Sequence, residues 1–71
     1  MNYKVDMYKK MYPAGTRIEL IYMEDAQAVP SGTKGTVVCV DDAGTIHMKW
    51  DNGRTLGLVP PIDSFRKIKE E

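Results

Sequence analysis

His47 and Cys39 are the only histidine and the only cysteine in the chain, and they are the first residues to test for chemistry. A structural zinc site takes about four Cys or His ligands, so this pair falls short. A Cys–His nucleophile pair needs a thiolate, which apolar surroundings disfavour, and Cys39 sits inside the run Val37-Val38-Cys39-Val40. His47 reads as a solvent-facing strand residue. Asp41, Asp42 and Asp51 are carboxylates in turn-forming stretches. They lack the one-three-five spacing of a calcium loop, and Asp favours turns because its side chain caps nearby backbone amides. Gly32-Thr33-Lys34-Gly35-Thr36 carries the residue types of a phosphate loop. In that loop, however, the lysine follows the second glycine and opens a helix. Here it precedes the glycine and a strand follows. No catalytic residue, metal site or cofactor is expected, and the chain reads as non-enzymatic.

Binding is the chemistry left. Tyr22, Met23, Glu24, Asp25 and Trp50 form one candidate surface, for a protein partner. Aromatic residues beside a long loop can receive an extended or proline-rich peptide. Arg17, Lys34, Lys49 and Arg54 form a second, as an outward row able to contact phosphates of a nucleic acid. Glu19 on the same strand face weakens that field.

These residues need a scaffold, and Thr36 to Leu58 supplies its signature. Three apolar runs rich in β-branched residues are separated by Asp41-Asp42-Ala43-Gly44 and by Asp51-Asn52-Gly53. Asn-Gly between alternating runs signals a hairpin with a type I′ turn, whose two central residues both take positive φ. Strands are expected at 16–22, 35–41, 45–50 and 54–59, with a short closing strand at 65–68. The apolar stretch 37–40 breaks alternation, which predicts a bulge or a strand covered on both faces. Gly57 predicts a bend in the fourth strand. Pro60-Pro61 stops that strand, and 61–64 forms a 3₁₀ turn before the last. Residues 23–32 make a long loop, near the length at which loops are functional or pack on themselves.

Ahead of the strands, Tyr3, Met7 and Met11 recur every four residues, with Tyr8 and Tyr12 on a neighbouring stripe. That is helical spacing, and Pro13 ends the helix. A helix this short needs a surface to lie on. Its Tyr/Met face is expected to pack across one end of the body or to dock on a partner.

Seventy-one residues make one domain. A chain this short buries about 60% of its unfolded surface, and its core supplies roughly 3–5 kcal/mol. The expected organisation is a helical segment over 1–12, a β domain over 13–68 and a solvated tail over 69–71. Its expected core is Ile18, Leu20, Val37, Val40, Ile46, Met48, Leu56, Leu58, Ile62, Phe65 and Ile68, with Trp50 at the margin. Ten basic residues balance ten acidic ones, so the basic excess of a generic nucleic-acid binder is missing. A single cysteine rules out an internal disulfide and favours a reducing compartment. No apolar stretch has signal-peptide or membrane-span length. The expectation is a cytoplasmic protein, monomeric or weakly dimeric, that does not engage a membrane.

Tyr12-Pro13 with Gly15-Thr16-Arg17, then Gly32-Thr33-Lys34-Gly35-Thr36-Val37, then Trp50-Asp51-Asn52-Gly53 with Leu56-Gly57-Leu58 form a specific set. Over Tyr12 to Ile68 the chain resembles a family of small bacterial and phage-borne domains known as domain of unknown function 4314. The resemblance implies a small, mostly β domain of bacterial or mobile-element origin and carries no activity. More loosely, the rhythm is similar to SH3-like barrels, an analogy of fold that does not establish function.

The expected architecture is therefore mainly β: a five-stranded SH3-like small barrel with a short N-terminal helix. The expected function is a binding module for a protein partner. The alternatives are a nucleic-acid-binding barrel and an accessory subunit of a phage or mobile-element assembly.

Overall fold

The computed structural model describes residues 3–69. Residues 1–2 of the expected helical segment and residues 70–71 of the expected tail lie outside the described residues. Among the described residues one helix, α1 (Tyr3–Met11), precedes four strands: β1 (Arg17–Tyr22), β2 (Lys34–Val40), β3 (Ile46–Trp50) and β4 (Ser64–Ile68). They form one antiparallel sheet in the order β3-β2-β1-β4.

Pro-x-Gly-Thr occurs twice and makes the same turn twice. Thr16 N–H donates to the Pro13 carbonyl (3.1 Å), and Thr33 N–H to the Pro30 carbonyl (3.1 Å). Each threonine hydroxyl bonds the same carbonyl, at 2.7 and 2.6 Å. Proline cannot extend a helix or a central strand, so the motif ends α1 and the long loop, and delivers the chain into β1 and β2.

The hairpin after β3 is not of type I′. Gly53 has φ +90°, and no non-glycine residue described has positive φ. Gly53 N–H donates to the Trp50 carbonyl (2.9 Å) and Trp50 N–H to the Arg54 carbonyl (2.8 Å). This is a type I turn followed by a left-handed glycine, the second common hairpin solution. Only Gly53 then needs positive φ, and Asn52 spends its side chain accepting from Arg54 N–H (3.0 Å).

The fourth expected strand does not form. Residues 54–57 run without strand pairing, and Leu58 makes a single bridge to Ile46, with N···O distances of 2.8 and 2.9 Å in the two directions. The observed sheet therefore has four strands and is not closed. Gly57 lies against the start of β3 rather than bending a strand, for a Cβ there would meet Thr45 Cγ2 at 3.0 Å and the Ile46 carbonyl oxygen at 3.4 Å. The expected 3₁₀ turn is replaced by a wider one, in which Asp63 N–H donates to the Val59 carbonyl (3.0 Å). The expected bulge in β2 is present between Val37 and Cys39.

The core joins Ile18, Leu20, Val37, Ile46, Met48 and Leu58 to Trp50, Met23 and Val29. Val40, Leu56 and Phe65 pack at its edge. Two expected members are elsewhere. Ile62 is 58% exposed at the tip of the turn before β4, and Ile68 lies in one row with Arg17 on the solvent face. The long loop fills the space instead, burying Met23 and Val29.

Helix α1 is turned by about one stripe from expectation. Val5 is buried and Tyr8 and Tyr12 half-buried, whereas Tyr3, Met7 and Met11 are exposed. Val5 Cγ2 and Tyr8 Cδ2 lie near Gly44 in the β2–β3 turn, and Tyr12 packs edge-on against Phe65 with ring centroids 5.4 Å apart. Lys67 Nζ donates to the Met11 carbonyl at 2.9 Å, a favourable place for a cation at a helix C-terminus.

Candidate functional site: a cationic sheet face

The strand period puts alternate residues on opposite faces. Buried Ile18, Leu20, Gly35, Val37, Met48 and Trp50 mark the inner face. Between them, Lys49, Thr36, Arg17 and Ile68 form one row across the outer face, and Lys34, Glu19 and Arg66 form the next. Lys67 and Lys69 join Lys34, Arg66 and Ile68 around a shallow groove of about 280 Å³. Six of the ten basic residues thus collect here, with Glu19 and Asp51 as the acidic residues among them.

Both acids are held by arginines. Arg17 Nη1 and Nη2 grip Asp51 Oδ1 and Oδ2 at 2.8 and 2.7 Å, and Nη1 also bonds Thr36 Oγ1 at 2.9 Å. This bidentate fork is the strong form of a charge-assisted pair. It holds the Asp51 carboxyl below the usual carboxylate range, with the charges of Arg17 and Lys34 adding to the effect. Glu19 Oε1 is bonded by Arg66 Nε and Nη2.

Of the basic row expected from sequence, Arg17, Lys34 and Lys49 do share this face. Arg54 does not. Its Nη2 reaches the Gln27 carbonyl and ties the long loop to the β3 turn. Arg66, Lys67 and Lys69 were not expected there; the cluster Arg66-Lys67-Ile68-Lys69 in the last strand was the available signal.

The expected aromatic surface is dismantled by burial. Trp50 is 1% exposed and its Nε1–H donates to the Leu56 carbonyl at 2.7 Å. It is a core residue, not a marginal one. Met23, 4% exposed, is core as well. Tyr22, Glu24 and Asp25 remain at the surface. Asp25 Oδ1 caps Gln27 N–H (2.7 Å) as a turn residue does, and Glu24 gives its own N–H to Asp63 (3.0 Å).

Asp63 is a buried carboxylate that sequence reasoning missed. Its Oδ1 accepts Glu24 N–H and its Oδ2 accepts Val59 N–H at 2.9 Å. It joins the start of the long loop to the turn before β4, a structural use of the charge.

The bulge in β2 turns Cys39 outward, so its expected apolar shielding does not hold: the thiol is exposed. Cys39 pairs in register with His47, and His47 Nε2 lies 2.9 Å from Asp41 Oδ2. The His47 bond, followed by that from Thr45 N–H, lowers the Asp41 carboxyl below its ordinary value. No hydrogen bond joins Cys39 to His47 among the described residues. Asp41 also caps Ala43 and Thr45 N–H, at 3.0 and 2.9 Å, so its place is the turn. Among the described residues no group of three or more His, Cys, Asp or Glu side chains could hold a metal ion, and no helix is long and apolar enough to cross a membrane.

No curated protein and no solved structure matches the chain. One family model does, over residues 1–68: the domain of unknown function DUF4314. That span takes in the Pro-x-Gly-Thr turns, the Gly35–Trp50 core and all of the cationic face but Lys69, and the chain belongs to the DUF4314 family.

Proposed function

We propose that the chain is a non-enzymatic binding module that holds an acidic protein partner on the outer face of its sheet. One observation carries the reading: a chain of zero net charge gathers six cations on and beside one face, four of which, Lys34, Arg66, Lys67 and Lys69, line a groove. Electrostatic complementarity of this kind steers association and selects partners by sign. The resemblance in sequence motivates a bacterial or mobile-element setting, and the single cysteine motivates a reducing, cytoplasmic location. The order β4-β1-β2-β3, followed by the Leu58 bridge, supports reading the sheet as an SH3-like barrel left open at one seam.

Titrating the ¹⁵N-labelled chain with poly-glutamate and with poly-lysine tests the reading. Poly-glutamate is expected to shift the amides around Lys34, Lys49, Arg66 and Lys69, and poly-lysine to leave them in place. Equal response to both polymers, or to neither, refutes it.

The same cations favour a second reading, nucleic-acid binding, because Arg17, Lys34 and Lys49 lie on one face. A mixed single-stranded oligonucleotide separates the two. Phosphate-driven affinity falls steeply with salt and would exceed that for poly-glutamate.

A further inference from the structure

We infer that β4 is a docking edge for an extended peptide segment of alternating acidic and apolar residues, which joins the sheet as an added strand. This rests on the binding-module reading and specifies how the partner is held.

The backbone supplies the first argument. Leu20 N–H donates to the Thr33 carbonyl (2.9 Å), and the Leu20 carbonyl accepts Gly32 N–H (2.7 Å). Leu20 thus turns its peptide groups toward β2. Backbone direction alternates along an antiparallel strand, so Ile18 also faces β2 while Arg17 and Glu19 face β4. Their register partners Ile68 and Arg66 bond to β1. Phe65 and Lys67 must then direct N–H and C=O to the opposite side. The sheet ends at β4, so among the described residues no strand meets that side.

Charge supplies the second. Open edges template pairing with other chains, and lysines on them are a common protection. Protection by charge selects by sign. A second copy of this edge would set Arg66, Lys67 and Lys69 against their duplicates. A strand bearing carboxylates meets them as complements, with Lys34 across the groove. Side chains of the added strand alternate between faces. One set lies on the side of Arg66 and Ile68. The other lies on the side of Phe65, where Tyr12 packs, and of Lys67, which reaches Met11. Hence acidic residues suit one set and apolar residues the other. In such strand addition, backbone bonds give affinity and alternate side chains give specificity.

The test uses the whole ¹⁵N-labelled chain and three probes: an end-blocked octapeptide of alternating Glu and Val, its Lys-Val counterpart and a mixed single-stranded DNA. At saturation the Glu-Val peptide is expected to slow exchange of the Phe65 and Lys67 amides at least about tenfold, as new hydrogen bonds do. The Lys-Val peptide is expected not to bind. Lys67→Thr removes the ammonium and keeps the N–H. Lys67→Pro also removes the N–H, which β1 does not use, and proline is tolerated at such edge positions. Affinity is expected to drop further in Lys67→Pro than in Lys67→Thr, with native spectra elsewhere. Lys69→Glu, outside the strand, is expected to weaken binding without changing the fold. Glu-Val binding without protection of Phe65 and Lys67, and with equal affinity in both Lys67 variants, overturns strand addition and leaves the module reading standing. Failure of the peptide to bind at all, or DNA binding that is steeply salt-dependent and spares both amides, overturns both.

Discussion

Gly35 lies directly beneath the indole of Trp50: a Cβ on Gly35 would stand 2.7 Å from Trp50 Cε3 and 3.0 Å from Met48 Cε. The two residues are register partners across β2 and β3. The glycine that resembles part of a phosphate loop is therefore explained by a ring that needs its space. Gly35→Ala is expected to cost about 1–3 kcal/mol, the usual penalty for overpacking a filled core. Urea unfolding followed by Trp50 fluorescence checks it, and a loss below a few tenths would show that the indole has room to move.

Asp63 gives a second expected outcome. Asp63→Ala strands the N–H groups of Glu24 and Val59, both of which it now accepts. Both bonds are part-buried, and losing hydrogen bonds to a charged group costs about 1.5–3 kcal/mol. Asp63→Asn keeps one acceptor oxygen and is expected to fall between the alanine variant and the parent in chemical denaturation.

Acid is expected to unfold the chain partly through Asp51 and Asp41. Both carboxyls are held below their ordinary values, chiefly by bonds from Arg17 and from His47 respectively. The unfolded chain then binds protons first as pH falls, so their contribution is full above the ordinary carboxylate value. It is lost between that value and the lower folded one. An NMR titration of the Asp51 carboxyl carbon should show a depressed midpoint that moves back up in Arg17→Gln. An unmoved midpoint would mean that the fork is not the cause.

The thiol of Cys39 is exposed because of the β2 bulge. One equivalent of a thiol reagent is expected to react with the native chain without denaturant, and Trp50 fluorescence should stay native throughout. Reaction only on unfolding would place the bulge elsewhere in β2.

Helix α1 offers a paired comparison. Val5 is buried and Met7 exposed. Val5→Ala is expected to cost about 1–3 kcal/mol, and Met7→Gln to change stability by about 0.5 kcal/mol or less. Equal losses would show that the helix seats its other stripe. Removing residues 1–12 should destabilise the sheet through the lost Tyr12–Phe65 contact.

Sequence periodicity exposed the alternating strands well. Ile18 and Leu20, and then Ile46 and Met48, alternate with polar neighbours and are buried as expected. Arg17, Lys34 and Lys49 were legible for the same reason, since a period of two assigns faces before any pairing is known. The helix was legible as a helix, but its buried stripe was not. Tyr3, Met7 and Met11 are about as apolar as Val5, Tyr8 and Tyr12, and only contact with the β2–β3 turn and with Phe65 chooses between them.

Residue types and their spacing alone specify a short helix followed by antiparallel β structure, with turns at Gly15, Gly32, Gly44 and Gly53. Those are local properties, set by side-chain period and by the φ values each residue tolerates. Tertiary structure alone decided which residues face each other over long separations. It brought Lys34 beside Arg66 and Lys69, Asp63 under Glu24, and Trp50 over Gly35. It also left 54–57 out of the sheet and β4 at its edge. Such outcomes depend on how one crowded core is filled and on strand order, and neither is encoded in the period of any single segment.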